Sequence, residues 1–277
     1  MHKFNFIYAL TNKILSDKIL VSMILRGIDM CPMTDLHCHT LCSVDDGAKN
    51  VEQMQEMLDI AYSDGIRTIC FTPHFKIHHF RDEEDISRYN EKIKESFALA
   101  CDYVASSHPD MMLYLGNEIM YHHDIYESIA NKRCSRLGNS SYSLVEFSPD
   151  TPFFEIKTAL LNLTRKGVRP VLAHIERYAD VSKNVERARE LKELGVLIQV
   201  NASSITRLKF GKGARFVKKL FKASLVDIIA TDAHDNDCFK PIMSKVFSII
   251  EKKYGTNIAR RVSQEVPNLI LENKNIY

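Results

Sequence analysis

The sequence predicts an α/β fold in which seven parallel strands close into an irregular barrel. From residue 33 onward, apolar runs of strand length alternate with amphipathic runs of helical period, which favours a parallel sheet. Periodicity alone allows either a doubly wound sheet or a barrel. The positions of the polar residues decide between them, because histidine, carboxylate or amide side chains end nearly every apolar run. A closed barrel gathers all its strand ends at one face, whereas an open sheet gathers only those near its switch point.

Seven segments have the apolar composition of buried strands, and a helical segment follows each of them. The predicted strands are residues 34–38, 68–72, 112–115, 142–147, 169–173, 197–201 and 226–231. The predicted helices are residues 51–63, 85–105, 124–130, 152–165, 184–194, 213–221 and 243–254. Gly65, Gly167 and Gly195 lie just after three of the helical runs, where a left-handed cap favours glycine.

Length and composition are those of an ordinary globular protein. The 277 residues are 45% hydrophobic and 26% charged, and α/β barrels of this length are common as one domain. A net charge of +2 gives no bulk basic field, so nucleic acid is not an expected partner. The seven cysteines lack CxxC spacing and do not resemble a secreted disulfide framework, which predicts a cytoplasmic location.

Residues 1–32 form a separate N-terminal extension, and residues 33–277 form the predicted domain. The extension is apolar and helical in pattern, but its uncharged stretches are far shorter than the ~20 residues of a membrane span. No small-residue cleavage site follows a signal core. Two interpretations stay open: an amphipathic helix that rests on the domain or on a membrane surface, and an upstream start before Met33.

The first predicted strand leads into a metal-binding pattern. His37 and His39 are two residues apart, so in an extended segment both side chains point the same way. Asp45 and Asp46 follow, immediately before Gly47. Imidazole nitrogens and carboxylate oxygens that converge on one point suit a divalent metal ion such as Zn, Fe or Mn.

The other strand ends supply the rest of a candidate site. Counting one of the two adjacent aspartates, the motifs offer five histidines and four carboxylates, which suits two or three ions rather than one. The further candidates are His74, Glu118, Glu146, His174, Asp232 and His234. Arg177 lies three residues after His174, and a guanidinium beside metal ions can grip a phosphate with two hydrogen bonds. Two ions about 3.5–4 Å apart can activate water and hold phosphoryl oxygens.

Seven motifs in order carry a family resemblance: DLHCHTLCSVDDGAK, TPHF, GNEI, VEFS, LAHIERY, QVNASSI and ATDAHD. They resemble the PHP (polymerase and histidinol phosphatase) superfamily over residues 33–241. Within it they are most similar to the CpsB/YwqE-type protein-tyrosine phosphatases of bacterial capsule and exopolysaccharide synthesis. The resemblance implies a distorted, TIM-like (β/α)7 barrel with a trinuclear metal site. It also implies dephosphorylation of an autophosphorylating tyrosine kinase that controls polysaccharide export.

The resemblance also assigns residues. The implied metal ligands are His37, His39, Asp46, His74, Glu118, Glu146, His174, Asp232 and His234. Asp46 is preferred to Asp45 because the family pattern sets the ligand directly before the glycine. Arg177 would bind the phosphate. A second family arginine is replaced by Lys240, which supplies charge but not the planar fork of a guanidinium.

We therefore expect a metal-dependent phosphatase that acts on phosphotyrosine. Mn²⁺ is the expected ion, with Fe or Zn as alternatives, and a bacterial tyrosine kinase is the expected partner. A homo-oligomer and peripheral membrane association through residues 1–32 are further expectations. Two alternatives stay open: a phosphatase of a small phosphomonoester such as histidinol phosphate, and a non-catalytic regulatory subunit of a polysaccharide assembly complex. The complete ligand set argues against the second, because a scaffold needs no converging ligands.

Overall fold

The computed structural model describes residues 32–206 and 212–276, so the prediction for the N-terminal extension lies almost wholly outside the described residues. Every strand pairing in the described chain is parallel. The strands are β1 (Met33–Cys38), β2 (Ile66–Phe71), β3 (His74–Phe75), β4 (Met112–Leu115), β5 (Glu118–Met120), β6 (Tyr142–Glu146), β7 (Arg169–Leu172), β8 (Leu197–Asn201) and β9 (Ile228–Ala230). Each of the seven predicted strand segments therefore overlaps an observed strand.

The helices between these strands agree with the predicted segments to within two residues at each end. They are α1 (Val51–Ser63), α2 (Glu83–Ser107), α3 (Ile125–Ala130), α4 (Phe153–Arg165), α5 (Val185–Glu193), α6 (Ala202–Thr206), α7 (Lys212–Lys222), α8 (Ser244–Tyr254), α9 (Thr256–Arg260) and α10 (Val266–Leu271). Side-chain caps fix the first two starts, because the Asn50 and Asp82 side chains accept hydrogen bonds from backbone N–H groups. Helices α6, α9 and α10 were not predicted.

Two of the strands are short continuations of others. Pro73 lies between β2 and β3 and has no N–H to donate, so the ladder breaks there. Gly116 and Asn117 separate β4 from β5 in the same way. Hydrogen bonds from Gly116 N–H to Phe71 O (2.8 Å) and from Glu118 N–H to Thr72 O (3.2 Å) carry the pairing across both breaks. The two breaks therefore lie directly before His74 and Glu118, the first residues of β3 and β5.

The parallel sheet is curled, as in a TIM-like architecture. Its strands form one group in the order β1-β2-β4 and another in the order β3-β5-β6-β7-β8-β9. The first strand also lies beside the segment that follows the last one, where an isolated parallel bridge joins Cys38 to Ala233. Two backbone hydrogen bonds of 2.8 Å support this bridge, from His39 N–H to Ala233 O and from Asp232 N–H to His37 O.

Apolar packing fills both faces of the sheet. On one face, Leu36, Leu144 and Val171 meet Val266 and Ile270 of α10, so the C-terminal helix covers this core. On the other face the surrounding helices bury a larger cluster of leucine, isoleucine, methionine and phenylalanine side chains. Each such side chain stabilises the fold by about 1.5–3 kcal/mol when fully buried. Within the described ranges, no helix combines the length and apolar content that crossing a bilayer requires.

We expect replacement of Asp35 to loosen the contact between β1 and β9. The buried Asp35 carboxylate accepts hydrogen bonds from the N–H of Thr231 (3.0 Å), from the Thr231 hydroxyl and from the N–H of His37 (3.3 Å). Asp35→Ala leaves these donors unsatisfied and should lower the free energy of unfolding by about 2–4 kcal/mol in urea titrations. The exposed Asp102 on α2 gives the control, Asp102→Ala. Equal, small changes in both variants would contradict the assignment.

Candidate metal centre

The carboxyl ends of the strands bring all nine predicted ligands into one connected cluster. His37, His74, Glu118 and Glu146 lie within β1, β3, β5 and β6, and the others lie in the segments that follow β1, β7 and β9. Every member has a nitrogen or oxygen within 3.6 Å of another member. The nine are His37, His39, Asp46, His74, Glu118, Glu146, His174, Asp232 and His234. Parallel strands thus place side chains that are up to 197 residues apart in sequence at one point.

Glu118 lies at the centre of the cluster. Its carboxylate is only 1% exposed, and its Oε1 lies 3.3 Å from His37 Nε2 and 2.8 Å from His174 Nε2. Its Oε2 lies 2.9 Å from His74 Nδ1 and 3.5 Å from His39 Nε2. A buried carboxylate is costly unless cations compensate its charge, and four imidazoles surround this one.

The donor atoms divide into three overlapping groups, in each of which all atoms lie within 4.8 Å of one another. The groups are His37, His39 and Glu118; then His74, Glu118 and Glu146; and then His39, Asp46, His74 and His234. Because three residues belong to two groups each, neighbouring ions would share ligands. This arrangement suits more than one divalent ion, with Asp46 on the solvent side, where its side chain is 67% exposed.

Four buried donor atoms in the cluster make no hydrogen bond of good geometry: Glu118 Oε2, Glu146 Oε1, His74 Nδ1 and His174 Nδ1. Three of them lie close together, because His74 Nδ1 is 2.9 Å from Glu118 Oε2 and 3.3 Å from Glu146 Oε1. Buried polar atoms in folded proteins almost always have a partner, and an unsatisfied one costs about 1–3 kcal/mol. Divalent ions such as Mn²⁺, Fe²⁺ and Zn²⁺ accept this mixture of imidazole nitrogen and carboxylate oxygen. The residues therefore fit a metal centre.

Three of the histidines are oriented by hydrogen bonds at Nδ1, which leaves Nε2 directed into the cluster. His39 Nδ1 lies 2.7 Å from Asp45 Oδ2, His37 Nδ1 lies 3.3 Å from Gln199 Oε1, and His234 Nδ1 lies 2.9 Å from the backbone oxygen of Asp232. Such partners fix the tautomer and the ring angle of a metal-binding histidine.

The structure gives the two adjacent aspartates different surroundings. Asp45 also accepts hydrogen bonds from the N–H groups of Gly47 (3.1 Å) and His74 (3.0 Å), so it braces the loop and the His39 ring. Asp46 instead lies 3.4 Å from His74 Nε2 and 3.6 Å from His234 Nε2. This geometry supports Asp46 as the ligand and makes Asp45 a positioning residue.

Opposite charges shift the pKa values of the cluster in opposite directions. Burial alone would lower the pKa of His39, but its hydrogen bonds to Asp232, Asp45 and Glu118 raise it well above the ordinary value. Burial would raise the pKa of Glu118, but the neighbouring histidines hold it well below its usual range. The Glu118 carboxylate therefore stays ionised and is available to a cation.

Two residues of the cluster adopt a backbone conformation that ordinary residues rarely take. His174 has φ +30° and Asp232 has φ +52°. A non-glycine residue in the left-handed region costs about 1–3 kcal/mol, and such residues concentrate at functional sites. Here the conformation turns each side chain from the strand end towards the centre.

Arg177 and Lys240, the two predicted phosphate-binding residues, are placed differently. Arg177 lies in the 3₁₀ turn Ile175–Arg177, and one guanidinium nitrogen donates to Asp232 Oδ2 at 2.6 Å. Its side chain is 46% exposed, so it lies at the rim of the cluster with donors left for a ligand. Lys240 is exposed in the loop after His234, and the described residues place no ion pair on it. The structure does not bring Lys240 into contact with the cluster.

Gln199 is a residue that the motif analysis missed. Its Oε1 accepts a hydrogen bond from His174 N–H (2.7 Å), and its Nε2 donates to Asn201 Oδ1 (2.7 Å). Asn201 Nδ2 in turn donates to Asp232 Oδ2 (2.6 Å). Gln199 and Asn201 are two residues apart on β8 and share one face of the strand, which is the signal that was available in the sequence.

Comparisons with known proteins agree with this site. The family model described as "Capsular polysaccharide synthesis, CpsB/CapC" matches residues 33–272. Tyrosine-protein phosphatase CpsB of Streptococcus pneumoniae is 35% identical over 244 residues, covering 86% of this chain and 98% of that protein. Tyrosine-protein phosphatase YwqE of Bacillus subtilis is 28% identical over 252 residues, covering 88% and 94%. A solved structure described among "YwqE from Bacillus subtilis and CpsB from Streptococcus pneumoniae, unique metal-dependent tyrosine phosphatases" superposes with a TM-score of 0.76 at 25% identity, covering 88% of this chain and 96% of that one.

We expect Gly47→Ala to disrupt the cluster. A Cβ atom at this position would lie 1.7 Å from the backbone oxygen of His39, so the loop that carries Asp45 and Asp46 would have to move. Mn²⁺ affinity, measured by calorimetry, should fall by roughly tenfold or more. Gly195→Ala is the control: it has φ +81°, but its nearest neighbour would be Thr164 Cγ2 at 4.0 Å. It should cost about 1–2 kcal/mol of stability and keep Mn²⁺ affinity. Unchanged affinity in Gly47→Ala would contradict the expectation.

We expect Gln199→Leu to weaken metal binding although Gln199 is not a predicted ligand. The substitution keeps the side-chain size but removes the acceptor of His37 Nδ1 and of His174 N–H. Loss of such an orienting partner typically lowers metal affinity or activity by about 10- to 100-fold, and we expect Mn²⁺ affinity to fall by about this factor. Gln55→Leu on α1, at a half-buried glutamine outside the cluster, is the matched control. The role would be rejected if both variants bound Mn²⁺ as tightly as the parent.

Proposed function

Because the chain belongs to the CpsB/CapC family of capsular polysaccharide synthesis, we propose that it is a metal-dependent tyrosine phosphatase that hydrolyses phosphotyrosine in a protein. Membership also confirms the family resemblance of its motifs. The observation that carries the proposal is the cluster of five imidazoles and four carboxylates with Arg177 at its rim.

The proposed fold is a distorted, TIM-like (β/α)7 barrel. If β3 continues β2 and β5 continues β4, the described strands count as seven, and the contact between β1 and the segment after β9 would close the ring. Only a closed ring, or one nearly closed, brings His37 of the first strand beside Asp232 after the last, at 3.3 Å.

The proposed cofactor is two or three divalent ions, with Mn²⁺ as the first candidate and Fe or Zn as alternatives. The ligands would be the nine clustered residues already named, with His39, His74 and Glu118 shared between neighbouring ions. When bound, such ions lower the pKa of water and neutralise charge on phosphoryl oxygens. Asp45, Gln199 and the Asp232 backbone oxygen hold the histidine rings in position for this.

The proposed catalytic role of Arg177 is to bind the phosphoryl group. Asp232 holds one of its nitrogens, and the remaining guanidinium N–H groups can donate to two phosphate oxygens at once. Charge that develops on these oxygens is stabilised by donors already in place. For Lys240 we propose a weaker, longer-range contribution of positive charge from the rim, in place of a second arginine. We assign no side chain as a dedicated acid for the tyrosine leaving group.

The proposed partner is a bacterial tyrosine kinase that regulates capsular or exopolysaccharide synthesis. The family description and the names of the relatives support this, because they join tyrosine phosphatase activity to capsule synthesis. We propose a cytoplasmic location, which the cysteine spacing supports. A homo-oligomer and membrane association through residues 1–32 stay predictions from the sequence.

The test is phosphate release from a phosphotyrosyl peptide, with and without Mn²⁺, beside histidinol phosphate as the small substrate. We expect Mn²⁺-dependent turnover of the peptide, and His39→Ala should reduce it by roughly 100-fold or more while lowering the Mn²⁺ content per chain. His123→Ala is the control, because that histidine is 90% exposed, forms an ion pair with Asp124 and is not a member of the cluster.

The other outcomes distinguish the alternatives. Turnover of histidinol phosphate alone would keep the metal centre but make the protein a phosphatase of small metabolites. Bound Mn²⁺ without turnover of either substrate would favour the regulatory subunit. Full activity of His39→Ala would show that the cluster does not take part in catalysis.

A further inference from the structure

Helix α7 has one apolar face and one face that is entirely cationic. Its apolar side chains are buried: Ala214, Phe216, Val217, Leu220 and Phe221. Its exposed side chains beyond Gly213 are Arg215, Lys218, Lys219 and Lys222. They follow one another at helical spacing, so they form a continuous strip along the outer surface.

The four cations of α7 have no acidic residue close to them in sequence. The sequence has no aspartate or glutamate from residue 194 to residue 226. In the described part of the chain, none of the four cations makes an ion pair. This concentration contrasts with the whole chain, whose net charge is only +2. Because no neighbouring residue in sequence offsets this positive charge, we infer that the charge serves binding rather than the stability of the domain.

Helix α8 extends the same surface. The rings of Phe221 and Tyr254 stack with their centroids 5.0 Å apart, and Lys218 and Lys253 line one cleft between α7 and α8. Glu251 is the acidic residue on α8, and it accepts a hydrogen bond from the Thr256 hydroxyl. We call the surface formed by Arg215, Lys218, Lys219, Lys222 and Lys253 the basic strip.

The helix that carries most of the basic strip packs against the turn that carries Arg177. Helix α7 packs against the 3₁₀ turn Ile175–Arg177, which carries Arg177, and against the turn Val181–Lys183 that follows it. The helix has 11 residues and is therefore about 16 Å long. About five residues of an extended peptide span that distance. A peptide whose phosphotyrosine is held at Arg177 can therefore lay its flanking residues along the strip.

We propose that the basic strip binds an acidic segment that flanks the phosphotyrosine of the protein substrate. The inference rests on the proposed phosphatase function and adds a substrate preference to it. The alternative occupant, an anionic membrane, is less well matched, because the apolar side chains of α7 are buried and none is left to enter a bilayer. Position beside the phosphate-binding arginine favours the peptide.

Such a contact acts before the chemical step. Attraction between the strip and acidic side chains raises the rate of encounter and lowers KM, while kcat stays the same because the strip does not touch the reacting atoms. Salt screens charges at about 10 Å in 0.1 M solution, so the preference should fade as ionic strength rises. A small phosphate ester cannot reach the strip and should show no preference.

The experiment compares two charge-reversed full-length variants loaded with Mn²⁺. Lys219→Glu with Lys222→Glu alters the strip, and Lys92→Glu with Lys94→Glu is the matched control at exposed positions on α2. The substrates are a phosphotyrosyl peptide with aspartates and glutamates beside the phosphotyrosine, the same peptide with serines there, and p-nitrophenyl phosphate. In the strip variant, kcat/KM should fall roughly tenfold at low salt for the acidic peptide alone, through KM. The control should match the parent on all three substrates.

Three results would overturn the proposal: equal loss on all substrates with a lower melting temperature, no loss on any substrate, or loss of binding to phosphatidylglycerol vesicles with an unchanged peptide preference. The last would assign the strip to a membrane.

Binding of the unphosphorylated acidic peptide, measured by fluorescence anisotropy, tests the strip without turnover. If the parent enzyme binds this peptide but hydrolyses no phosphotyrosine, the phosphatase function fails and the strip survives. Binding that is equal in parent and strip variant would reject the strip.

Discussion

The burial of the Glu118 carboxylate is the constraint on which the rest of the site depends. A charge taken out of water is costly unless cations or donors surround it, and here four imidazoles do so. Those imidazoles come from three separate stretches of chain, around β1, at β3 and after β7. No single loop could supply them. The parallel sheet is therefore the device that assembles the charge cluster, and its helices and apolar core hold the strand ends in register.

The loops at this face contain unfavourable backbone conformations that position side chains. His174 and Asp232 take left-handed conformations, and Gly47 leaves no space for a side chain against His39. The contact between β1 and the segment after β9 offsets part of this cost, because Asp35 satisfies the backbone of Thr231 next to Asp232. Contacts along the strands thus stabilise the fold, while the unfavourable backbone conformations lie at the strand ends, beside the candidate ligands.

The sequence allowed prediction of the seven strand segments and of the residues that cluster, because strand ends and short polar motifs are local signals. It could not reveal β3 and β5, since strands of two and three residues have no periodicity. Gln199 was missed because its spacing from Asn201 predicts a shared strand face but not its distant partners, His37 and His174. Asp45 and Asp46 are neighbours in sequence, and only the family resemblance favoured Asp46. The fold gives the physical difference, because Asp45 braces His39 while Asp46 faces His74 and His234.

Asp232 lies between the candidate metal-binding histidines and Arg177, the residue proposed to bind phosphate. Its Oδ1 faces His37 and His39, both at 3.3–3.5 Å, while its Oδ2 accepts hydrogen bonds from Asn201 and Arg177. The position of the guanidinium is therefore set by the same carboxylate that borders the metal-binding histidines. Any shift of that carboxylate when ions bind must also shift Arg177, since the 2.6 Å contact joins them directly. If the proposed metal ligands and the proposed role of Arg177 hold, metal binding and phosphate binding are therefore coupled through the Asp232 side chain.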